Sequence, residues 1–109
     1  MAELTRAEIF KARNDRHRSI KEMEGETILP VAWHTHNYVD AHGKQHNVLV
    51  IKDGKTGEMF KTEVLAFIDK FDSYIEAFGV LDDAEKPLIR ITSKVSKANN
   101  KYFDFELVD

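Results

Sequence analysis

The sequence predicts a mainly β domain with one core helix and a short helix before it. Five stretches rich in β-branched and aromatic residues stand between turn signals: ILPVAWHTHNYV, QHNVLVIK, EMFKT, PLIRITSKV and YFDFELV. Between the third and fourth, apolar residues recur every three or four positions. The resulting order, β-β-β-α-β-β, is that of a five-stranded OB-like antiparallel barrel whose helix plugs one end. An unclosed five-stranded sheet with one helix packed on it shares that order.

The first element is marked by Thr5-Arg6-Ala7-Glu8, the pattern of a helix-capping box, with Leu4 placed to staple the turn from outside. A helix from about Thr5 to about Arg18 is expected, with a thin apolar face of Ala7, Ile9, Phe10 and Ala12. Residues 1–24 therefore read as a basic helix or arm, and 25–109 as the OB-like domain. Pro30 confines the start of the first strand to an edge. Asp40-Ala41-His42-Gly43 suits a type I turn with a glycine bulge into the second strand. Asp53-Gly54-Lys55-Thr56-Gly57 turns the chain into the short third strand. In TEVLAFIDKFDSYIEAFG a stripe of Val64, Leu65, Phe67, Ile68, Phe71, Tyr74, Ile75 and Phe78 predicts a core helix, with Thr62 as N-cap and Gly79 just past its end. In the last strand Phe103, Phe105 and Leu107 alternate with Tyr102, Asp104 and Glu106, so one face is expected inside.

The net charge of −3 argues against a protein that coats nucleic acid by bulk attraction. Its distribution is segregated, however. Residues 6–21 hold Arg6, Lys11, Arg13, Arg16, Arg18 and Lys21 against Glu8 and Asp15, and residues 86–101 hold five cations and no acid. The absence of cysteine excludes disulfides and thiolate metal sites and fits a cytoplasmic setting, that of the host cell for a viral protein. No apolar run is long enough to span a membrane, and the N-terminal stretch lacks the form of a secretion signal.

Residues 33–46, WHTHNYVDAHGKQH, gather four of the five histidines. His34 and His36 share a strand face, and one hairpin register adds Tyr38 and His46 to it. Three histidines there could bind a divalent metal, but their span along the hairpin is long for one ion, and neither metal nor other cofactor is assigned. No nucleophile is paired with a base and no glycine-rich phosphate loop is present, so an enzyme is not expected.

From about Val48 to Val108 the chain resembles the small OB-type single-stranded-DNA-binding proteins of bacteriophages. The matching stretches are VLVIKDGKTGEMF, VLAFIDKFDSYIEAFG and PLIRITSKVSKANNKYFDFELV; the acidic net charge departs from that pattern. The resemblance implies a sequence-tolerant single-stranded DNA binder in phage replication or recombination, without a cofactor. In OB folds the ligand lies across strands two and three, flanked by the loops after strands one and four. Here those loops are VDAHGKQH and SKVSKANNKY. Stacking faces would come from Trp33, Tyr38, Phe60 and Tyr102, and backbone cations from Lys44, Lys52, Lys55, Lys61, Lys94, Lys97 and Lys101. His34, His36 and His46, with His42 on the turn, would stack when neutral and add charge below about pH 6.5. Replication or recombination proteins and a second copy of the chain are the further partners this reading allows. The alternative is a non-enzymatic module that binds a host or phage protein.

Overall fold

The computed structural model describes residues 4–108. The order along the chain is α1 (Arg6–Asn14), β1 (Arg18–Ser19), β2 (Thr27–Ile28), β3 (Pro30–Val39), β4 (Gln45–Asp53), β5 (Met59–Thr62), α2 (Leu65–Phe78), β6 (Leu88–Val95) and β7 (Lys101–Val108). Two sheets form, β1-β5-β4-β3 and β2-β6-β7. The mainly β character and the meander–helix–hairpin order match the expectation. The two sheets are not closed into a barrel: no ladder joins β5 to β7.

The expected first strand divides into two. β2 pairs with β6 and β3 pairs with β4, so one extended segment serves both sheets. The change occurs at Leu29, directly before Pro30, which lacks a donor for a continued ladder. Asp53 pins this corner. It is 3% exposed, and its Oδ1 accepts the N–H groups of Leu29 (3.1 Å) and Lys55 (2.9 Å). Gly54 N–H donates to Leu29 O at 2.8 Å. A Cβ on Gly54 would lie 2.5 Å from Val31 Cγ1, so the close approach requires glycine.

The main core lies between the sheets and α2. It is built on Ile28, Leu49, Ile51, Phe67, Phe71 and Ile91, all at most 1% exposed. Ile20 and Met23 join it, so the segment after α1 is part of the packed domain rather than an arm. Phe67, Phe71 and Tyr74 form the buried stripe of α2, and Tyr74 O–H donates to Pro87 O at 2.8 Å. Burial pushes that phenol up to about 12. Leu65 stays 59% exposed. The N-cap is Val64, not Thr62: Thr62 remains in β5 opposite Leu49, and its Oγ1 accepts from Val64 N–H. Gly79 caps the C-terminus in ordinary right-handed geometry, not the left-handed one expected of a glycine there. Asp104 fastens α2 to the β6–β7 hairpin through Lys70 (2.9 Å) and Lys94 (2.8 Å). Burial alone would raise this carboxyl; the hydrogen bonds from Lys94 and Lys70 instead hold it at about 2.

A second, smaller apolar layer lies on the opposite face of the β3–β4–β5 sheet. The Thr5–Glu8 capping box forms as expected, and α1 ends at Asn14, a turn short of Arg18. Leu4, Ile9 and Ala12 pack on Ala32, Val48 and Val50. Lys52 and Glu8 make an ion pair across the contact. The run Val48–Ile51 is thus buried on both faces, unlike a strand with one wet side.

Replacing Asp53 by Ala leaves the two corner N–H groups without their acceptor, Leu29's half-buried. Stability should fall by about 1–3 kcal/mol. Urea unfolding checks this: the midpoint drops while the slope holds.

Candidate functional site

The turn at Asp40–Gly43 fixes the hairpin register. Asp40 Oδ1 accepts from the N–H groups of His42 (2.8 Å) and Lys44 (3.0 Å), and Gly43 adopts φ 80°. Tyr38 then faces His46, His36 faces Val48 and His34 faces Val50. Residues opposite each other or two apart share a face. His34, His36, Tyr38 and His46 therefore lie on one side, the side that carries α1.

At the open end of this row Tyr38 and His46 stack, with centroids 4.7 Å apart and planes 10° from parallel. His46 Nε2 lies 2.8 Å from Asp40 Oδ2, and Nδ1 lies 2.8 Å from Glu63 Oε1. Tyr38 O–H donates to Glu63 Oε2 at 3.2 Å. An imidazole with both nitrogens facing carboxylates is satisfied only as the doubly protonated cation. The Asp40 bond accordingly raises His46 above the usual histidine value, against its partial burial and with help from Glu63. The same bond lowers Asp40.

Further along the strand His34 and His36, both half-buried, stack at 5.8 Å on the side that carries α1. His34 Nε2 and His36 Nδ1 are buried without a hydrogen-bond partner among the described residues. Burial lowers both histidines, and the nearby Arg13 guanidinium lowers them further. His36 also feels His34 and His17 pushing down and Glu63 pulling up. The expectation of a joint gain of charge near pH 6.5 is corrected: His46 moves up, His34 and His36 move down. His42, on the exposed turn, takes part only through its backbone N–H.

A cleft of about 690 Å³ runs between α1 and this face. Arg6, Phe10 and Arg13 of α1 line one wall, and His36, Tyr38 and Lys61 line the other. His17, in the turn after α1, and the acids Asp15 and Glu63 also line it. Arg6, Arg13 and Lys61 make no ion pair with any described residue, whereas Glu63 is engaged by His46.

Several expected contact residues lie elsewhere. Trp33 points into the core, edge-on to Phe71 at 5.6 Å, with the Lys86 ammonium 5.9 Å from its ring centroid. Phe60 is 3% exposed in the same core. Both alternate away from the His34–Tyr38 face, so neither can stack on a ligand there. Lys52, Lys94 and Lys101 are paired with Glu8, Asp104 and Glu24. Lys55 Nζ donates to Thr27 O and Oγ1. Lys44 and Lys97 are exposed on turns, and Tyr102 is half-buried opposite Lys94. None of residues 94–102 lines the cleft, so the second expected loop does not border it. Conversely, Arg6, Phe10, Arg13 and His17 are not among the individually expected site residues, although the basic run at 6–21 already offers an arm that could add phosphate contacts. Among the described residues no His, Asp or Glu group of three is placed to hold a metal ion, and no helix is long and apolar enough to cross a membrane.

No protein-family model matches the chain, and neither does a curated protein or a solved structure.

Histidine titration followed by NMR should separate the two groups. His46 should titrate above the reference value of about 6.5, and His34 and His36 below it. The signs fix the stability profile. The His46–Asp40 contribution is present above the unfolded carboxylate value near 4 and is lost as pH rises through the raised His46 value. His34 and His36 oppose it, destabilising the fold as pH falls below about 6.5. Three superimposable titrations would contradict the geometry.

Proposed function

We propose that the chain binds single-stranded DNA without sequence preference, as a non-enzymatic protein of phage replication or recombination. The observation that carries this is the cleft between α1 and the sheet. There the exposed ring of Tyr38 stands with Arg6, Arg13 and Lys61, none of which has an acidic partner among the described residues. Aromatic faces for bases beside cations for phosphates are what sequence-tolerant single-strand binding requires. The negative net charge is compatible with this because the cations are concentrated on one surface.

The connectivity supports an OB-like reading of the fold. A meander, a helix and a hairpin follow in that order, and the first long extended segment serves both the meander and the hairpin. The face argued here is the outer face of that meander, which is where OB folds take oligonucleotides. This is analogy of fold and adds only to what the cleft itself carries.

Fluorescence anisotropy with labelled oligo-dT tests the reading. With about three phosphates neutralised, affinity should fall roughly tenfold to twentyfold between 50 and 200 mM salt. Arg13→Ala should flatten the salt slope by about 0.7. Tyr38→Ala should lose about 1–3 kcal/mol of binding, and Tyr38→Phe, which keeps the ring, should lose much less. Absence of binding at 50 mM salt and micromolar protein would overturn the proposal and put a protein-interaction module in its place.

A further inference from the structure

The flat rings on the outer face of β3 form a row. His34, His36 and Tyr38 occupy alternate positions of one strand, which spaces their attachment points by roughly 6.6–6.8 Å. The Tyr38 end is the most open, at 43% exposure. The other two rings are half-buried: His36 lines the cleft beside α1, and His34 lies next to Leu4 and Ile9.

The footing of α1 on the sheet is small. Its apolar contacts are Leu4, Ile9 and Ala12 against Ala32, Val48 and Val50, and its fastening is the Glu8–Lys52 ion pair. Phe10, its largest apolar side chain, is 67% exposed and contributes nothing to that footing. The cover also leaves its own underside unsatisfied. His34 Nε2 and His36 Nδ1 have no partner there, a costly state for buried polar atoms. The charge that acts on both rings is the Arg13 guanidinium, a donor rather than an acceptor. Beyond Asp15 the chain leaves the helix in an extended conformation, and Ile20 and Met23 anchor it in the main core. The helix can therefore leave the sheet with the main core intact.

We propose that the ligand face continues beneath α1 along His36 and His34, and that α1 is a cover which a single-stranded nucleic acid displaces. This rests on the reading of the cleft given above. Bases would extend the stack from Tyr38 onto the two histidine rings, and their edges would satisfy the orphan nitrogens. Arg6 and Arg13 travel with the cover and remain available to the phosphates. The occupant is a polyanion because Arg6, Arg13 and Lys61 on the lining make no ion pair among the described residues and outnumber the lining acids Asp15 and Glu63, of which Glu63 is already engaged by His46.

The chain has no cysteine, so a single engineered pair reports cleanly. Ala12→Cys with Val48→Cys places one thiol on α1 and one on β4 within the same outer cluster, and mass spectrometry establishes that the bond has formed. Oligo-dT affinity is measured by anisotropy at 50 mM salt on the full chain, oxidised and reduced. The oxidised form should bind at least about tenfold more weakly than the reduced form of the same variant. Equal or tighter binding by the oxidised form would overturn the cover. If the parent protein itself does not bind, the nucleic-acid reading falls and the cover with it, a different result from equal affinities. Glu8→Gln tests the same idea without a disulfide, by releasing the ion pair to Lys52. It should bind at least about threefold more tightly than Glu76→Gln, which makes the same charge change on the exposed side of α2. No difference between the two variants would also overturn the proposal.

Discussion

The architecture turns on the Asp53 carboxylate. The segment 27–39 must leave one sheet and enter the other, and at that corner the backbone cannot continue either ladder. A buried acceptor held against two N–H groups makes the change of partner tolerable. It also orients the two sheets so that α2 and the inner faces share one core. The alternation of β3 is set there as well. With Pro30 opposite Asp53 and one register irregularity before Ala32, Trp33 falls inside and His34, His36 and Tyr38 fall outside. The composition of the outer face thus follows from a contact at the far end of the hairpin.

Much of this was legible in the sequence. The meander, the core helix and the final hairpin are visible because their hydrophobic periods are distinct. The Thr5–Glu8 capping box and the Asp40–Gly43 turn are visible because each rests on local side-chain chemistry. The division of the first strand was not legible. Pro30 marks a break in a ladder, but only the fold says which second strand waits on the other side. Thr62 looked like a helix cap because residue type cannot say that it still pairs with Leu49.

The site was legible in part. Tyr38, His36 and Lys61 line the cleft and His46 supports Tyr38, but Trp33 and Phe60 alternate to the core. Aromatic residues fit either face of a strand, and register alone decides between them. The cleft's second wall was missed because α1 has so thin an apolar stripe. A stripe of Leu4, Ile9 and Ala12 suffices when small residues allow close approach. The available sign was in β4: Val48, Leu49, Val50 and Ile51 are apolar without alternation, which is the mark of a strand covered on both sides.

The doubly covered strand also bears on aggregation. Val48 and Val50 are β-branched, lie beside the edge strand β3, and are covered largely by α1. Uncovered, they would form an apolar strip next to unpaired backbone donors and acceptors, the combination that recruits further strands and leads to aggregation. The short N-terminal helix therefore also shields this strip, and its capping box and ion pair bear on resistance to aggregation.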